Sequence, residues 1–582
     1  MLGAGDYMLI KLAGGTVYDP AQGVDGEVKD LFIRDGRLVS PPSADTKIGR
    51  EYDLNGQVVM TGGIDMHTHI GGGKSNLARG MLARDAHADE WGAGAPLPDP
   101  DHTSTYDTSS DRSPASQSKS SISRAVPPAP VAGYRYAEMG YTTCFEPAVV
   151  PINARHAHME MADTPLVDTG GYAILGNDDF LLRLLADGAE QDVINDYVAW
   201  TLNATQCIGI KVVNAGGINA FKYNARKLDL DEQSPHYGVR PRDIIRCLSR
   251  AITELGIPHP LHVHTSNLGI PGNIASTLAT IDAAEGHRIH LTHVQFHSYG
   301  TEGDRKFSSA AAQVTDAVNT HHNVTVDVGQ VMFGQTVTLS ADTMHQHAAH
   351  GHAHPKKWVC MDMECEAGCG IVPFEYKDQN FVNALQWAIG LETFLMVSDP
   401  WRVGLTTDHP NGAPFTSYPH LIRLLMDRSF RADMLTSIHP SAAAMSQVGS
   451  LAREYSLYEI AIMTRAAPAR LLGLEDRGRL TPGAAADVAV YRPHKNRERM
   501  FERPSLVFKD GELVVKDGQV VKAPRGRTHV VRPDFDTGIE RRLGAWFDEC
   551  HTVKMGNYKI SADEMADHIG SEVVVHPCGA RR

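Results

Sequence analysis

Residues 60–73 read MTGGIDMHTHIGGG, a short apolar run that ends in Asp65-Met66-His67-Thr68-His69 and continues into three glycines. Residues i and i+2 of a β-strand point to the same face, so His67 and His69 can bind one metal ion together. A lone His-x-His pair is a weak signal, because two histidines on one strand face are as often structural as ligating. The stretch therefore predicts a strand end and a candidate metal site, to be weighed with the rest of the chain.

Similar short runs recur along the chain and alternate with stretches that read as helices or longer loops. They include YTTCFEP at 141–147, GIKVVN at 209–214, LHVHTS at 261–266, NVTVDVG at 323–329 and RVGLTTD at 402–408. Alternating strands and helices indicate a parallel α/β barrel or a doubly wound sheet. The polar residues of these runs fall at their carboxyl ends, where such barrels place their reactive groups.

Both ends of the chain follow a different pattern, in which β-type runs are joined by tight turns. Asp35-Gly36 near the amino terminus, and Asp510-Gly511 and Asp517-Gly518 near the carboxyl terminus, are pairs that favour two-residue hairpins. We expect the two segments to form one β module.

Composition argues against several classes of protein. The 582 residues carry 55 basic and 69 acidic side chains, and the formal net charge of −14 disfavours binding to nucleic acid, which requires a basic face. The sequence has no apolar run of about 18 residues that would predict a membrane span, and its first residues lack the pattern of a secretory signal. We therefore expect a cytoplasmic protein whose eight cysteines are reduced.

Lys211 lies inside the apolar run GIKVVN, where an ammonium group without a partner would carry a large desolvation cost. One interpretation is that the stem of the side chain reaches solvent at the end of the strand. The other is that the neutral amine has added CO2 to form a carbamate, an anion whose two oxygens could bridge two metal ions.

Further strand ends present ligand-type residues. They are His262 and His264, then His290, His293 and His297, and finally Asp408. We prefer His264 to His262 because His264 directly precedes the Thr-Ser-Asn end of its strand and so lies nearer the barrel mouth. Five successive strand ends thus carry, in order, His-x-His, Lys, His, His and Asp, which favours a common site.

This ordered set resembles the metal-dependent hydrolases of the amidohydrolase superfamily. The resemblance implies an α/β fold, a distorted (β/α)8 TIM-like barrel with a small β-sandwich formed by both chain ends. MTRAAPARLLGL at 463–474 and GRLTPGAAADVAVY at 478–491 are similar to the closing motif of these proteins. The expected domains are sandwich, barrel with a loop insertion, sandwich and a carboxyl-terminal extension. Their bounds are 1–60, 61–475 with the insertion at 98–130, 476–525 and 526–582.

Longer phrases narrow the resemblance to the amidohydrolase-like subunits of formylmethanofuran dehydrogenase and of its bacterial counterpart, the formyltransferase/hydrolase complex. The similarity spans about residues 8–525 and includes GGIDMHTHIGGGKSN, GIKVVNAGG, HVHTSNLGIPGN, HLTHVQFHSYG, DVGQVMFGQTVTLS and TTDHPNGAPF. Hydantoinases and dihydroorotases share the metal ligands but lack these phrases. One departure is Gly62-Gly63, which stands where the superfamily usually has Pro-Gly.

The resemblance implies a binuclear zinc centre that hydrolyses N-formylmethanofuran, or an analogue, to formate and the free amine. The implied ligands are His67, His69 and Asp408 around one Zn2+, His264 and His293 around the other, and N6-carboxylysine at Lys211 between them. Asp408 is also expected to take a proton from the attacking water and pass it to the departing nitrogen. The candidate contacts to the methanofuran-type carrier are Lys74, Asn267 and Gln295.

Other functions stay open at this point. The same site could condense formate with methanofuran in a formylmethanofuran dehydrogenase, or it could be a cyclic amidase of the hydantoinase type. A scaffold without activity is disfavoured because all six ligand candidates are present. We expect a hetero-complex with a formyltransferase and with other subunits of the same complex, in which 98–130 and 526–582 are candidate docking elements.

Two further tracts carry potential ligands. HQHAAHGHAHPKK at 345–357 holds five histidines, but it supplies no scaffold that would bring them to one ion, so we expect a solvated loop. Cys360, Cys365 and Cys369 have a spacing that matches neither common ferredoxin pattern, so we expect thiols rather than a cluster.

Overall fold

The computed structural model describes residues 9–81, 125–223, 225, 228–340, 362–363 and 369–579. Most of the predicted insertion at 98–130 lies outside the described residues, as do the histidine tract at 345–357, Cys360 and Cys365. The predictions made for these stretches therefore stay predictions.

Eight parallel strands form one curled sheet. In chain order they are β1 (Gly63–Asp65), β2 (Tyr141–Val149), β3 (Asp168–Leu175), β4 (Gly209–Val213), β5 (Leu261–His264), β6 (Ile289–Leu291), β7 (Val324–Asp327) and β8 (Val403–Gly404). Each strand pairs with the next along the chain. A parallel bridge from Thr68 to His409, just beyond β1 and β8, closes the barrel. The predicted TIM-like fold is confirmed.

α-Helices lie between successive strands of the barrel and after the last one. Those before β5 are Gly73–Met81, Ala129–Glu138, Ala154–Ala162, Asp179–Ala186, Gln191–Thr205, Gly217–Lys222 and Pro241–Glu254. Those after β5 are Ile274–Ala283, Ala311–Thr320, Phe381–Met396, Tyr418–Met426, Arg428–Ser437, Pro440–Met445, Leu457–Ala461 and Ala467–Leu472. Helix 241–254 shows how these helices pack against the barrel. Its residues Ile244, Leu248 and Ile252 recur at helical spacing and are buried, so they form one apolar face.

Strands from both chain ends form one nine-stranded sheet, as predicted. Its members are Ile10–Asp19, Val24–Arg34, Arg37–Val39, Arg50–Asp53, Val58–Thr61, Val488–Tyr491, Leu506–Lys509, Glu512–Lys516 and Gln519–Val520. Val17, Val59, Val488 and Phe508 belong to an apolar core that is separate from that of the barrel. The central pairing of Val58–Thr61 with Val488–Tyr491 joins the two ends.

The chain passes from this sheet into β1 through Gly62 and Gly63, which lie in close contact with strand β2. A Cβ atom on Gly62 would lie 2.1 Å from the Thr142 hydroxyl oxygen, and one on Gly63 would lie 2.6 Å from the Tyr141 ring. Side chains larger than hydrogen would therefore push β1 away from β2. This contact accounts for the two glycines at the entry to β1.

Residues 526–579 pack onto the barrel. Strand Thr528–Val531 pairs with the start of β3, and Val573–His576 adds to its other side. Helix Gly538–Cys550 places Phe547 against Trp200, with ring centroids 6.3 Å apart. Two short helices lie within this segment, at Met555–Tyr558 and Ala562–Glu564, and another lies before it, at Arg497–Glu502. No helix among the described residues is long and apolar enough to cross a membrane.

An antiparallel hairpin lies over the mouth of the barrel. Its strands are Gly334–Ser340 and Cys369–Tyr376, and Asp362–Met363 pairs along the second of them. A further two-stranded ladder joins Tyr299–Gly300 to Ser308–Ser309. The hairpin matters for function, because Thr338, Leu339 and Tyr376 face the cleft described next.

Candidate metal centre

A cleft of about 520 Å3, partly open to solvent, lies at the carboxyl ends of the barrel strands. Its lining includes His69, Lys74, Lys211, His264, His293 and Asp408. These residues come from five strand ends and from the helix that follows β1, as the order of ligand-type residues along the sequence predicts. Apolar walls from Leu268, Phe296 and Leu339 surround this polar floor.

The first ligand cluster consists of His67, His69 and Asp408, whose ligand atoms lie within 4.8 Å of one another. Nε2 of His67 is 2.8 Å from Oδ1 of Asp408, and Nε2 of His69 is 3.4 Å from the same oxygen. All three side chains are buried. The His-x-His pair and the last strand of the barrel therefore supply one candidate metal site.

The second ligand cluster consists of His264, His293 and His297, again with ligand atoms within 4.8 Å of one another. The ring centroids of His264 and His293 are 4.5 Å apart. His264 ends β5, and His293 follows β6 at the start of a 3-10 turn that runs from Val294 to His297. Sequence reasoning selects the first two of these histidines, while the structure adds His297.

Lys211 is on β4 and is almost fully buried, with 2% of its surface exposed. Burial lowers its pKa to about 8, against the opposing effect of the Asp408 and Asp327 carboxylates. Its charge also acts on His264 and His293 of the second cluster. A buried lysine with a lowered pKa offers a reactive neutral amine in the cleft shared by both clusters.

Unpaired buried atoms test whether these residues fit a metal. Among the described residues, the buried side-chain atoms without a hydrogen bond include His264 Nε2, His293 Nδ1 and both ring nitrogens of His297. Leaving a buried polar group unpaired costs about 1–3 kcal/mol, so this concentration needs a compensating ligand. Imidazole and carboxylate donors suit a zinc-type ion, and the residues fit such a centre.

Two carboxylates orient the His-x-His pair. Glu146 on β2 lies 2.8 Å from Nδ1 of His69, and Oδ2 of Asp327 at the end of β7 lies 3.4 Å from Nδ1 of His67. A carboxylate on Nδ1 favours the tautomer that leaves Nε2 free to bind a metal. Sequence reasoning missed both acids, although Asp327 ends the run NVTVDVG and could have been found as a polar strand end.

Asp327 also holds the strands around it together. It accepts hydrogen bonds from the backbone N–H of His293 at 3.0 Å and from the Thr406 hydroxyl at 2.6 Å, and it lies 3.0 Å from Nε2 of His290. Burial alone would raise its pKa, but the facing imidazoles of His67 and His290 hold that pKa well below its ordinary value. Asp327 is thus a fixed anion below the first cluster.

A third group of potential ligands, His67, His262 and Asp327, is a hydrogen-bonded network. Nε2 of His262 lies 3.0 Å from Nδ1 of His67, and Nδ1 of His262 lies 3.0 Å from Nε2 of His259. These contacts already satisfy the ring atoms that would face an ion. His264 lines the cleft, whereas His262 lies in the barrel interior below it.

Asp408 and His293 have backbones in the left-handed region, with φ of +51° and +36°. Non-glycine residues rarely adopt such angles, and they do so where the surrounding structure imposes them, often at functional sites. Burial would raise the pKa of Asp408, but the imidazoles of His293 and His67 hold it well below its ordinary value. Asp408 is therefore ionised at neutral pH.

The structure brings one of the three predicted carrier contacts to the cleft. Lys74, on the helix after β1, is among its lining residues. The Asn267 amide donates to the Ser276 hydroxyl at 2.6 Å, and the Gln295 amide donates to the Tyr299 hydroxyl at 3.0 Å. Neither amide lines the cleft. In the case of Gln295, the turn after β6 directs the side chain into the protein.

Comparison with known proteins identifies the family of this chain. The sequence pattern of the amidohydrolase family matches residues 50–522. The Fhc A subunit of the formyltransferase/hydrolase complex from Methylorubrum extorquens is 45% identical, over 97% of this chain and 98% of its own length. Protein FwdA from Methanocaldococcus jannaschii is 37% identical, over 96% of this chain and 97% of its own length.

Among solved structures, the crystal structure of the FhcABCD complex from Methylorubrum extorquens with methylofuran contains a similar chain. The two share 42% sequence identity with a TM-score of 0.87, and the match covers 98% of this chain and all of the other. Family pattern, full-length relatives and fold agree with the resemblance found in the motifs. The chain belongs to the amidohydrolase family and, within it, to the group that includes this Fhc subunit.

Proposed function

We propose that this chain is a binuclear zinc amidohydrolase that hydrolyses an N-formyl amine of the formylmethanofuran class to formate and the free amine. The observation that carries the proposal is the shared cleft. His69 and Asp408 of the first cluster, His264 and His293 of the second, and Lys211 all line it. Two ions held there would face one reacting group.

The substrate class is supported by the relatives. A chain that is 45% identical over nearly its whole length belongs to a formyltransferase/hydrolase complex, and the similar crystal structure contains methylofuran. The word hydrolase in the name of that complex favours the hydrolytic direction over condensation of formate with the amine. The phrases that distinguish this group, such as TTDHPNGAPF, surround the cleft residue Asp408.

Lys211 is proposed to carry a carboxyl group on its side-chain nitrogen. Its lowered pKa provides the neutral amine that adds CO2, and the resulting carbamate would place a negative charge between ions bound by the two clusters. The composition of the clusters supports this, because five of their six residues are histidines and Asp408 is the one carboxylate among them.

Ions bound at the two clusters would polarise the formyl oxygen and lower the pKa of the attacking water. The protein's own contribution centres on Asp408, which is ionised at neutral pH and lies at the end of β8 beside the cleft. Its carboxylate accepts the proton of the attacking water and delivers it to the amine nitrogen as the C–N bond breaks. Without that proton the amine is a poor leaving group.

Lys74 is proposed as a contact to the carrier, since it lines the cleft from the helix that follows the His-x-His pair. The apolar walls and the hairpin residues Leu339 and Tyr376 would receive the ring of a furan-type amine. We also propose that the chain works within a complex with a formyltransferase, as its 45% identical relative does by name. Direct transfer between sites raises the effective concentration of the carrier.

The test is a comparison of substrates with the purified complex loaded with zinc. Formate release from formylated methylofuran is measured beside ring opening of dihydroorotate and of a hydantoin. Formate release with no ring opening supports the proposal. Ring opening without formate release would instead indicate a cyclic amidase, and no turnover of any of the three would indicate an inactive scaffold.

A further inference from the structure

His297 is a fully buried histidine that the proposed reaction does not use. It ends the 3-10 turn Val294–His297, and its side chain has no exposed surface. Neither of its ring nitrogens has a hydrogen-bond partner among the described residues. A neutral imidazole always has one donor and one acceptor, so both are left unsatisfied.

The surroundings of His297 consist of the second cluster. Its ring centroid lies 5.0 Å from that of His264 and 5.1 Å from that of His293, and the ligand atoms of the three residues lie within 4.8 Å of one another. One ion could therefore be reached by all three rings. The rings of His293 and His297 are inclined by 29° and stack beside each other.

The other buried histidines near the cleft show what a structural role looks like. His262 pairs with His67 and His259, and His290 lies within hydrogen-bonding distance of Asp327 and Thr325. Each of these rings finds partners in the barrel interior. His297 does not, and an unpaired buried imidazole beside two proposed ligands points to an absent cation.

We propose that His297 is the third imidazole ligand of the ion held by His264 and His293. This inference rests on the metal centre of the proposed function. With carboxylated Lys211, the second ion would then have four protein ligands, three nitrogens and one oxygen. A third imidazole adds one ligand to the three that His264, His293 and the carbamate would supply, and zinc can expand to five ligands, which keeps a position for the reacting group. His297 would therefore tighten the hold on the second ion.

The test compares His297→Leu with a matched control, His158→Leu, in the full-length chain. His158 is also buried, but it lies on helix Ala154–Ala162, apart from all three histidine groups, and contacts the Thr205 carbonyl at 2.8 Å. Each protein is loaded with zinc, dialysed against a chelator and analysed for metal. The unmodified chain and His158→Leu should keep two ions, whereas His297→Leu should keep one and bind the second at least ~10-fold more weakly.

A second measurement uses the unmodified protein, so it does not depend on whether the variant folds. In a crystal structure of the zinc-loaded chain, a ring nitrogen of His297 should lie about 2.0–2.1 Å from the second ion. A distance above about 3 Å, or full retention of two ions by His297→Leu, overturns the inference and leaves the binuclear centre intact. An unmodified chain that binds no metal would instead refute the proposed function.

Discussion

A Cβ atom on Gly329 would lie only 2.4 Å from the Cβ atom of His293. Gly329 follows β7 and has a φ of +63°. The same Cβ atom would lie 3.4 Å from that of Asp408, so the absence of a side chain at Gly329 lets a ligand of each cluster approach the same point. The close packing of the two ligand clusters therefore depends on the absence of a side chain at Gly329, above all beside His293.

We predict that Gly329→Ala lowers both metal content and turnover. The alanine would collide with His293 and would add about 1–2 kcal/mol of backbone strain at a left-handed position. Gly188→Ala is the control, because Gly188 has a φ of +66° with no neighbouring atom within 4 Å and carries the strain alone. Elemental analysis should give fewer than two ions for Gly329→Ala and a normal content for Gly188→Ala. Equal loss of metal in both variants would mean that general instability, and not the collision with His293, causes the effect.

We predict that Asp327→Asn weakens binding at the first cluster by about 10–100-fold. The amide oxygen can still accept from the His293 N–H and the Thr406 hydroxyl, which both meet Oδ1. The NH2 group would then face Nδ1 of His67 and Nε2 of His290, which now meet Oδ2. Competition with a chromophoric chelator gives the affinity. The exposed Asp316, on helix Ala311–Thr320, provides the control Asp316→Asn, which should bind as the unmodified chain does. Unchanged affinity in Asp327→Asn would mean that His67 is oriented by other contacts.

Lys211 should make the stability of the metal-free protein depend on pH. The folded chain releases the lysine proton near pH 8, whereas the unfolded chain keeps it up to the ordinary value of 10.5. Between these values the unfolded state binds more protons, so the free energy of unfolding rises with pH, by up to ~1.4 kcal/mol per unit. Urea denaturation in CO2-free buffer should show this rise relative to Lys211→Met. Parallel pH profiles for the two proteins would contradict the lowered pKa.

Asp408→Asn should retain most of the metal and lose most of the turnover. Proton transfer by a positioned carboxylate contributes about 10²–10⁴-fold, and an amide cannot carry the proton. Formate release and metal content are measured on the same sample, so that loss of a ligand is separated from loss of proton transfer. A variant with near-normal turnover would make Asp408 a ligand only.

The fold and most of the centre are readable from the sequence because strand ends are local features. His67, His69, His264, His293 and Asp408 lie at the ends of short apolar runs, Lys211 lies inside one, and the structure brings all six together. The alternation of strands with helices predicts a parallel barrel or a doubly wound sheet, the family resemblance narrows this to the barrel, and the eight parallel strands confirm it.

The residues that were missed act through tertiary contacts. Glu146 reaches His69 from the neighbouring strand, and Asp327 reaches His67 across the barrel. His297 is among the ligand-type histidines named from the sequence, but it is not selected there, because the 3-10 turn that brings it beside His264 and His293 has no clear sequence signal. The same turn removes Gln295 from the cleft. Strand periodicity predicts the face of the sheet to which a side chain points, but only within a strand. It does not predict the directions of side chains in the turns that follow the strands.

The central claim is that two ions at this centre are required to release formate from a formylated amine. The most direct measurement is formate release from formylated methylofuran by the chelator-stripped complex, followed as zinc is returned in steps in bicarbonate buffer. We predict no release without metal and a maximum at two ions per chain. Full activity in the stripped protein, or a rate that does not depend on added zinc, would contradict the account.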